Sequence, residues 1–296
     1  MRAQKIDLRK NRDFGELVND SFLFLRQNFK SLVRIFFMYC GLFVVGGMIA
    51  MIFQQIKNVS YYNGVLTQKR NPGPFDMFSQ FGFEYVLALL SMWVSFTLMT
   101  VSVVSFMALY AENDKTIPTN EQLWQRIKET FLRTLGSSVV WFILLLVGSV
   151  LCVVPGVYLF PVCSLFYVVL ITEKCSFGEA WTKSFRLIKN NWWMVFGVLF
   201  VMYVIVYFST TLITLPTTIM TLVGVLGESS PRISLTFSII GTVLQFVCQV
   251  FLILPTIASC LVFYSLSEHK DGAGLLERIA AFQQAGNAAD ERPESY

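Results

Sequence analysis

Residues 14–29 read Phe-Gly-Glu-Leu-Val-Asn-Asp-Ser-Phe-Leu-Phe-Leu-Arg-Gln-Asn-Phe, and residues 177–192 read Phe-Gly-Glu-Ala-Trp-Thr-Lys-Ser-Phe-Arg-Leu-Ile-Lys-Asn-Asn-Trp. The two stretches stand 163 residues apart, and each precedes a long apolar run. Phe14-Gly15-Glu16 matches Phe177-Gly178-Glu179, Ser21-Phe22 matches Ser184-Phe185, and Asn28 matches Asn191. Apolar residues recur at i, i+3, i+4, i+8, i+11 and i+15 in both, which is one face of an α-helix. That stripe is Phe14, Leu17, Val18, Phe22, Leu25 and Phe29 in the first copy, and Phe177, Ala180, Trp181, Phe185, Ile188 and Trp192 in the second. The pattern predicts a tandem array in which an amphipathic helix lies in the membrane interface ahead of each group of spans.

Composition agrees with a membrane setting. Hydrophobic residues make up 55% of the 296 positions and charged residues 14%, well below the quarter or so usual in soluble domains. Apolar runs around 35–54, 85–109, 137–154, 157–172, 193–225 and 233–264 predict an all-α integral membrane protein with six transmembrane helices. Lys and Arg then fix its orientation. Nineteen of them fall in residues 1–34, 111–135, 173–189 and after Leu266, against four (Lys57, Lys69, Arg70, Arg232) in the other connections. By the positive-inside rule this predicts a bacterial inner (cytoplasmic) membrane protein with both termini cytoplasmic. The formal charge of +4 is then a topology and lipid-surface signal, with no nucleic-acid partner implied.

Three segments open on a capping box: Asp13 with Glu16, Thr119 with Gln122, and Ser176 with Glu179. They divide the chain into units of about 13–112, 119–174 and 176–266, predicted as three parallel repeats of an interfacial amphipathic helix plus a helical hairpin. Residues 1–12 form a basic N-terminal segment. Residues 267–296 form a cytoplasmic tail, expected to be disordered after about 284. The longest external loop is expected at 55–83, where Asn71-Pro72-Gly73-Pro74 forbids regular structure. A tight reversal is expected over Cys152 to Pro161, and kinks at Pro216 and Pro255.

The stretch from Pro155 to Phe200, with Pro-Gly-Val-Tyr-Leu, Glu173, Gly178-Glu179-Ala180, Ser184-Phe185-Arg186-Leu187-Ile188-Lys189 and Asn191-Trp192-Trp193, resembles a bacterial and archaeal multi-pass family. That family is named for the membrane domain attached to some glycerophosphoryl diester phosphodiesterases. The resemblance implies an integral membrane protein. It carries no hydrolase activity with it, because the phosphodiesterase belongs to a separate soluble barrel.

Residue chemistry points away from catalysis. Arg34, Glu84 and Glu173 fall at span ends, and His269, the single histidine, follows the last span. A metal site, a histidine base and a nucleophilic triad therefore have no candidates, and no cofactor is expected. The six cysteines are scattered and read as small buried hydrophobes. The best polar candidates are Ser238, Thr242, Gln245 and Gln249, which share a helix face, opposite Thr214 and Thr218 of the preceding span. The expected role is a non-enzymatic scaffold or accessory subunit of an envelope process, contacting membrane lipids and a membrane-protein partner. The alternative is a transporter or lipid-handling protein that uses the polar seam. The two differ in whether that seam is a cavity or a dry contact.

Overall fold

The computed structural model describes residues 6–68, 82–113, 115–151, 153–226 and 231–271. Every element among them is helical: α1 (Phe14–Gln68), α2 (Phe83–Glu112), α3 (Asn120–Leu151), α4 (Val153–Thr172), α5 (Phe177–Ile188), α6 (Trp192–Leu226), α7 (Pro231–Cys248), a 3-10 turn (Gln249–Leu252) and α8 (Ile253–Asp271). Four stretches are long and apolar enough to cross a membrane: Phe14–Asn58, Phe83–Glu112, Trp192–Gly224 and Leu235–His269. Gly156–Thr172 is a shorter apolar helix. The chain is an all-α membrane protein.

All three capping boxes form. Glu16 N–H donates to Asp13 Oδ1 at 2.7 Å and Asp13 N–H to Glu16 Oε2 at 3.3 Å. Gln122 N–H donates to Thr119 Oγ1 at 3.4 Å and Thr119 N–H to Gln122 Oε1 at 3.2 Å. At Ser176 the hydroxyl accepts from Glu179 N–H at 3.4 Å, while Glu179 Oε2 accepts from Ser176 N–H at 2.8 Å. Each box satisfies two of the orphan donors that every helix start exposes.

The expected joint between amphipathic helix and span appears only in the second copy. There α5 ends at Ile188, Asn191 N–H donates to Ile188 O at 2.8 Å, and Asn191 O accepts from Val195 N–H to begin α6. In the first copy α1 runs unbroken from Phe14 to Gln68, and α3 likewise continues into its apolar half. The difference lies in the asparagines. Asn190-Asn191 is a consecutive pair of weak helix formers, whereas the single Asn28 bonds back to Phe24 O at 3.2 Å and stays inside its helix.

Two other expectations are corrected. Residues 55–68, assigned to the external loop, are helical, because no breaker precedes Asn71; residues 69–81 lie outside the described residues. The reversal expected over 152–161 is replaced by α4 from Val153, with Pro161 inside the helix. Pro155 sits in the first turn of α4, where its missing N–H removes no bond. Helix α8 continues past Leu266 to Asp271, into the segment assigned to the tail, and residues 272–296, where disorder is expected after about 284, lie outside the described residues. The expected kink at Pro255 takes the form of the 3-10 turn at Gln249–Leu252. Proline has no N–H for Phe251 O and its ring crowds that carbonyl, so the preceding turn rewinds.

The buried face of the repeated helix is rotated away from the expected stripe. Leu17, Ser21, Phe24 and Leu32 are fully buried in the first copy, and so are Ala180, Ser184, Leu187 and Val195, each 163 residues further on. Ser21 and Ser184 both donate to their i−4 carbonyls, Leu17 O and Ala180 O, at 2.7 Å. Serine can occupy a buried helix face because this bond satisfies its hydroxyl locally.

The path of α1 follows from three contacts. Gly47 marks one level, where a methyl would stand 3.0 Å from Phe246 and 3.1 Å from Ser91. From there to Tyr110 along α2, or to Ser265 along α7 and α8, is about 28 Å at about 1.5 Å per residue. From Gly47 back to Arg12 is about 50 Å on the same rise. Yet Phe24 packs on Tyr110 at 5.4 Å and Arg12 N–H donates to Ser265 Oγ at 2.9 Å. The first turns of α1 therefore run across the end of the bundle rather than along it.

Arginines tie that end together. Arg12, with a side chain only 1% exposed, pairs with Asp20 at 2.8 Å and donates to the carbonyls of Asp7, Leu8 and Lys10. Arg126 Nη1 reaches both Glu112 oxygens at 3.1 Å, while its Nη2 donates to Thr172 O at 2.8 Å. Arg133 donates to the carbonyls of Lys174 and Cys175 at 2.7 and 3.0 Å. A guanidinium at the C-terminal end of α4 complements the exposed carbonyls and the helix dipole.

Candidate functional site

Helices α6 and α7 pack closely where Gly241 faces Thr217. A methyl on Gly241 would stand 2.9 Å from Thr217 Oγ1, so only glycine permits that approach. Beside it lies a laterally open groove of about 610 Å³, lined by Thr210, Thr211, Thr214, Thr217, Thr218 and Thr221 of α6, Ser238, Thr242 and Gln245 of α7, and Gln55 of α1. Tyr207, Leu222 and Phe237 complete the wall. Among the described residues that line it there is no Asp, Glu, Lys, Arg or His.

The hydroxyls are oriented by their own helix. Thr214 donates to Thr210 O at 3.0 Å, Thr217 to Thr214 O at 2.7 Å, Thr218 to Thr214 O at 3.0 Å, Thr221 to Thr217 O at 2.8 Å and Thr242 to Ser238 O at 2.9 Å. Each bond uses the one hydroxyl hydrogen and leaves oxygen lone pairs, so these side chains act as acceptors. Gln245, exposed on the groove wall, and Gln55 supply amide donors as well. From Thr210 to Thr221 the groove follows about 16 Å of α6 and begins roughly 27 Å from Trp192.

Five of the six seam residues picked out in the sequence line this groove: Ser238, Thr242, Gln245, Thr214 and Thr218. Gln249 does not. It lies one turn beyond Gln245, at the start of the 3-10 turn, and lines a small separate gap with Phe36 of α1 and Met92 and Met99 of α2. The neighbours that α1 and α2 bring to that turn are what spacing alone misses.

The aromatic stripes have unequal fates. Phe14, Phe22 and Phe29 are 43%, 40% and 55% exposed. In the second copy Phe177, Trp181, Phe185 and Trp192 are half-buried and stacked on other helices. Phe177 packs on Phe166 at 4.9 Å, Trp181 on Trp141 at 5.2 Å, and Trp192 on Tyr158 at 5.8 Å with its Nε1 donating to Tyr158 O at 3.2 Å. The second stripe is thus a contact surface for α3 and α4, not a free interfacial face.

A second cavity of about 280 Å³, unanticipated in the sequence, lies among α2, α3, α4, α6 and α8. Trp93, Phe96, Trp141, Phe142, Phe160, Tyr167 and Tyr203 line it together with Thr100, Ser138, Ser164, Thr256 and Ser259. Its residues come from five helices, so no local spacing announces it. Among the described residues no group of three or more His, Cys, Asp or Glu is placed to hold a metal ion.

Comparison with protein-family models, with curated proteins and with solved structures gives no match.

Proposed function

We propose that this is a six-span protein of the bacterial cytoplasmic membrane, built of three related units, that receives the polar part of an amphiphile in the α6–α7 groove. The observation that carries the reading is the set of threonine hydroxyls whose hydrogens are spent within α6 and α7. Each of these bonds stays inside its own helix, so the hydroxyls are not spent as interhelical glue. Their oxygens, with the amides of Gln55 and Gln245, suit a neutral or donor-bearing group such as a lipid glycerol, hydroxyl or ammonium. Hydroxyls and amides bind such a group without transferring protons at neutral pH, which favours handling over turnover.

The fifth and sixth crossings in this reading are the apolar half of α3 and α4. At 17 residues, Gly156–Thr172 reaches roughly 26 Å, the short end of what spans a bilayer. The shared burial of Leu17 and Ala180, and of Ser21 and Ser184, supports the relation between the first and third units. With the N-terminus cytoplasmic, the groove faces the outer leaflet. The likeness of residues 155–200 to the multi-pass membrane family fits this reading. A scaffold would use the same face through a second protein, so the two roles part on what fills the groove.

The test is lipid extraction from protein purified in mild detergent, compared with the variant Thr214→Val, Thr218→Val, Gln245→Leu. The reading expects an amphiphile that co-purifies with the native chain and is depleted in a stably folded variant. Equal lipid content in both would refute it.

A further inference from the structure

A second, apolar pocket abuts the groove on α6, where Val206 and Ser209 line it while Tyr207 and Thr210 line the groove. This crevice of about 220 Å³ is walled by Phe22, Leu25, Phe29 and Val33 of α1, facing Ile205 and Phe251. Along its rim α1 carries Arg26, Lys30 and Arg34, one every four residues and therefore about 6 Å apart on one side of the helix. All three are exposed. Among the described residues none takes part in the ion pairs that tie the end of the bundle together, where the nearby acids Glu16 and Asp20 are already paired with Lys10 and Arg12. Phe22 and Phe29 remain 40% and 55% exposed beside them.

Snorkelling accounts for cations beside apolar surface, but not for a crevice opening next to a row of them. We propose that this crevice holds an acyl chain of an anionic phospholipid, with its phosphate on Arg26 and Lys30. The charge row supplies what a zwitterionic lipid cannot use fully, and the crevice supplies what a soluble phosphate cannot. In the proposed topology the phosphate lies toward the cytoplasmic end of the bundle, where Phe24 packs on Tyr110, and the acyl chain reaches inward to Ile205. The site shares no lining residue with the α6–α7 groove.

Native mass spectrometry of the full chain in neutral detergent, titrated with dioleoyl phosphatidylglycerol or dioleoyl phosphatidylcholine, tests this. Phosphatidylglycerol should bind more tightly. Arg26→Gln with Lys30→Gln should weaken it roughly 25-fold, at about fivefold per charge near a membrane surface, and Arg26→Lys with Lys30→Arg should preserve it. Val33→Phe, which fills the crevice and keeps every charge, should weaken both lipids. Because the α6–α7 groove also suits a lipid glycerol, the titration is repeated on the variant Thr214→Val, Thr218→Val, Gln245→Leu: phosphatidylglycerol should still bind it more tightly than phosphatidylcholine, and Arg26→Gln with Lys30→Gln added to it should still weaken that binding, which separates failure here from failure there. Equal affinity for the two lipids, no effect of the glutamines, or no effect of Val33→Phe would overturn the proposal.

Discussion

Thr217 of α6 leaves no room for a side chain on Gly241 of α7, with 2.9 Å between the threonine oxygen and the place a methyl on Gly241 would occupy. Gly241→Ala must therefore push the helices apart. Overpacking of this kind costs about 1–3 kcal/mol, against about 1 kcal/mol regained in helix propensity. The variant should melt at a lower temperature in detergent. At Gly41 and Gly46 an added methyl would meet nothing within 4 Å, so Gly41→Ala and Gly46→Ala should match or exceed the native melting temperature.

Arg126 joins three helices through Glu112 and Thr172 O, with a side chain 10% exposed. Arg126→Ala leaves the α4 carbonyl without its partner and should cost about 2 kcal/mol, the range for bonds to a charged group. Arg126→Lys should recover little, because an ammonium cannot hold both partners in a fixed fork. Thermal unfolding of the two variants side by side checks this.

Acid should loosen the same end. Glu16, Glu129 and Glu179 are held below the ordinary carboxylate range near 4.5: Glu16 first by its bond to Lys10, Glu129 by Lys174, and Glu179 by the Ser176 backbone N–H. Folded values below unfolded ones mean that the unfolded chain binds more protons at low pH. Their stabilisation is complete above the ordinary range and is lost as pH falls through and below 4.5. Ser176→Ala should cost about 1 kcal/mol at neutral pH. Glu179→Gln, which removes the titrating carboxyl itself, should flatten the acid limb of a plot of melting temperature against pH.

Topology is open to thiol labelling. A cysteine placed at Asn63 or Ser229 should react in intact cells with a membrane-impermeant reagent. Native Cys175 should react only after the membrane is made permeable, and slowly, because burial pushes its thiol pKa up. Labelling of Cys175 in intact cells would reverse the orientation.

What the sequence disclosed was local. Helix starts at Asp13, Thr119 and Ser176 were legible because a cap needs only residues three apart. The groove was legible through the spacing of Ser238, Thr242 and Gln245 on one helix face. Less legible were features set at a distance: the exit of Gln249 from the seam into a gap walled by α1 and α2, and the burial of Arg12 against α8. The rotation of the buried face onto Ser21 and Ser184 escaped because a serine bonded to its own helix is indistinguishable in sequence from an exposed one. The cavity around Trp141 needs five helices in place before it exists.

The most direct measurement places a photo-crosslinking amino acid at Thr218, an exposed position on the groove wall, and irradiates the full chain in native membranes. Handling of an amphiphile predicts a lipid adduct of discrete mass on the protein, suppressed when Thr214 and Gln245 are replaced by Val and Leu. A crosslink to a second protein at this position, with no lipid adduct, would contradict the account and return the groove to a scaffold's contact surface.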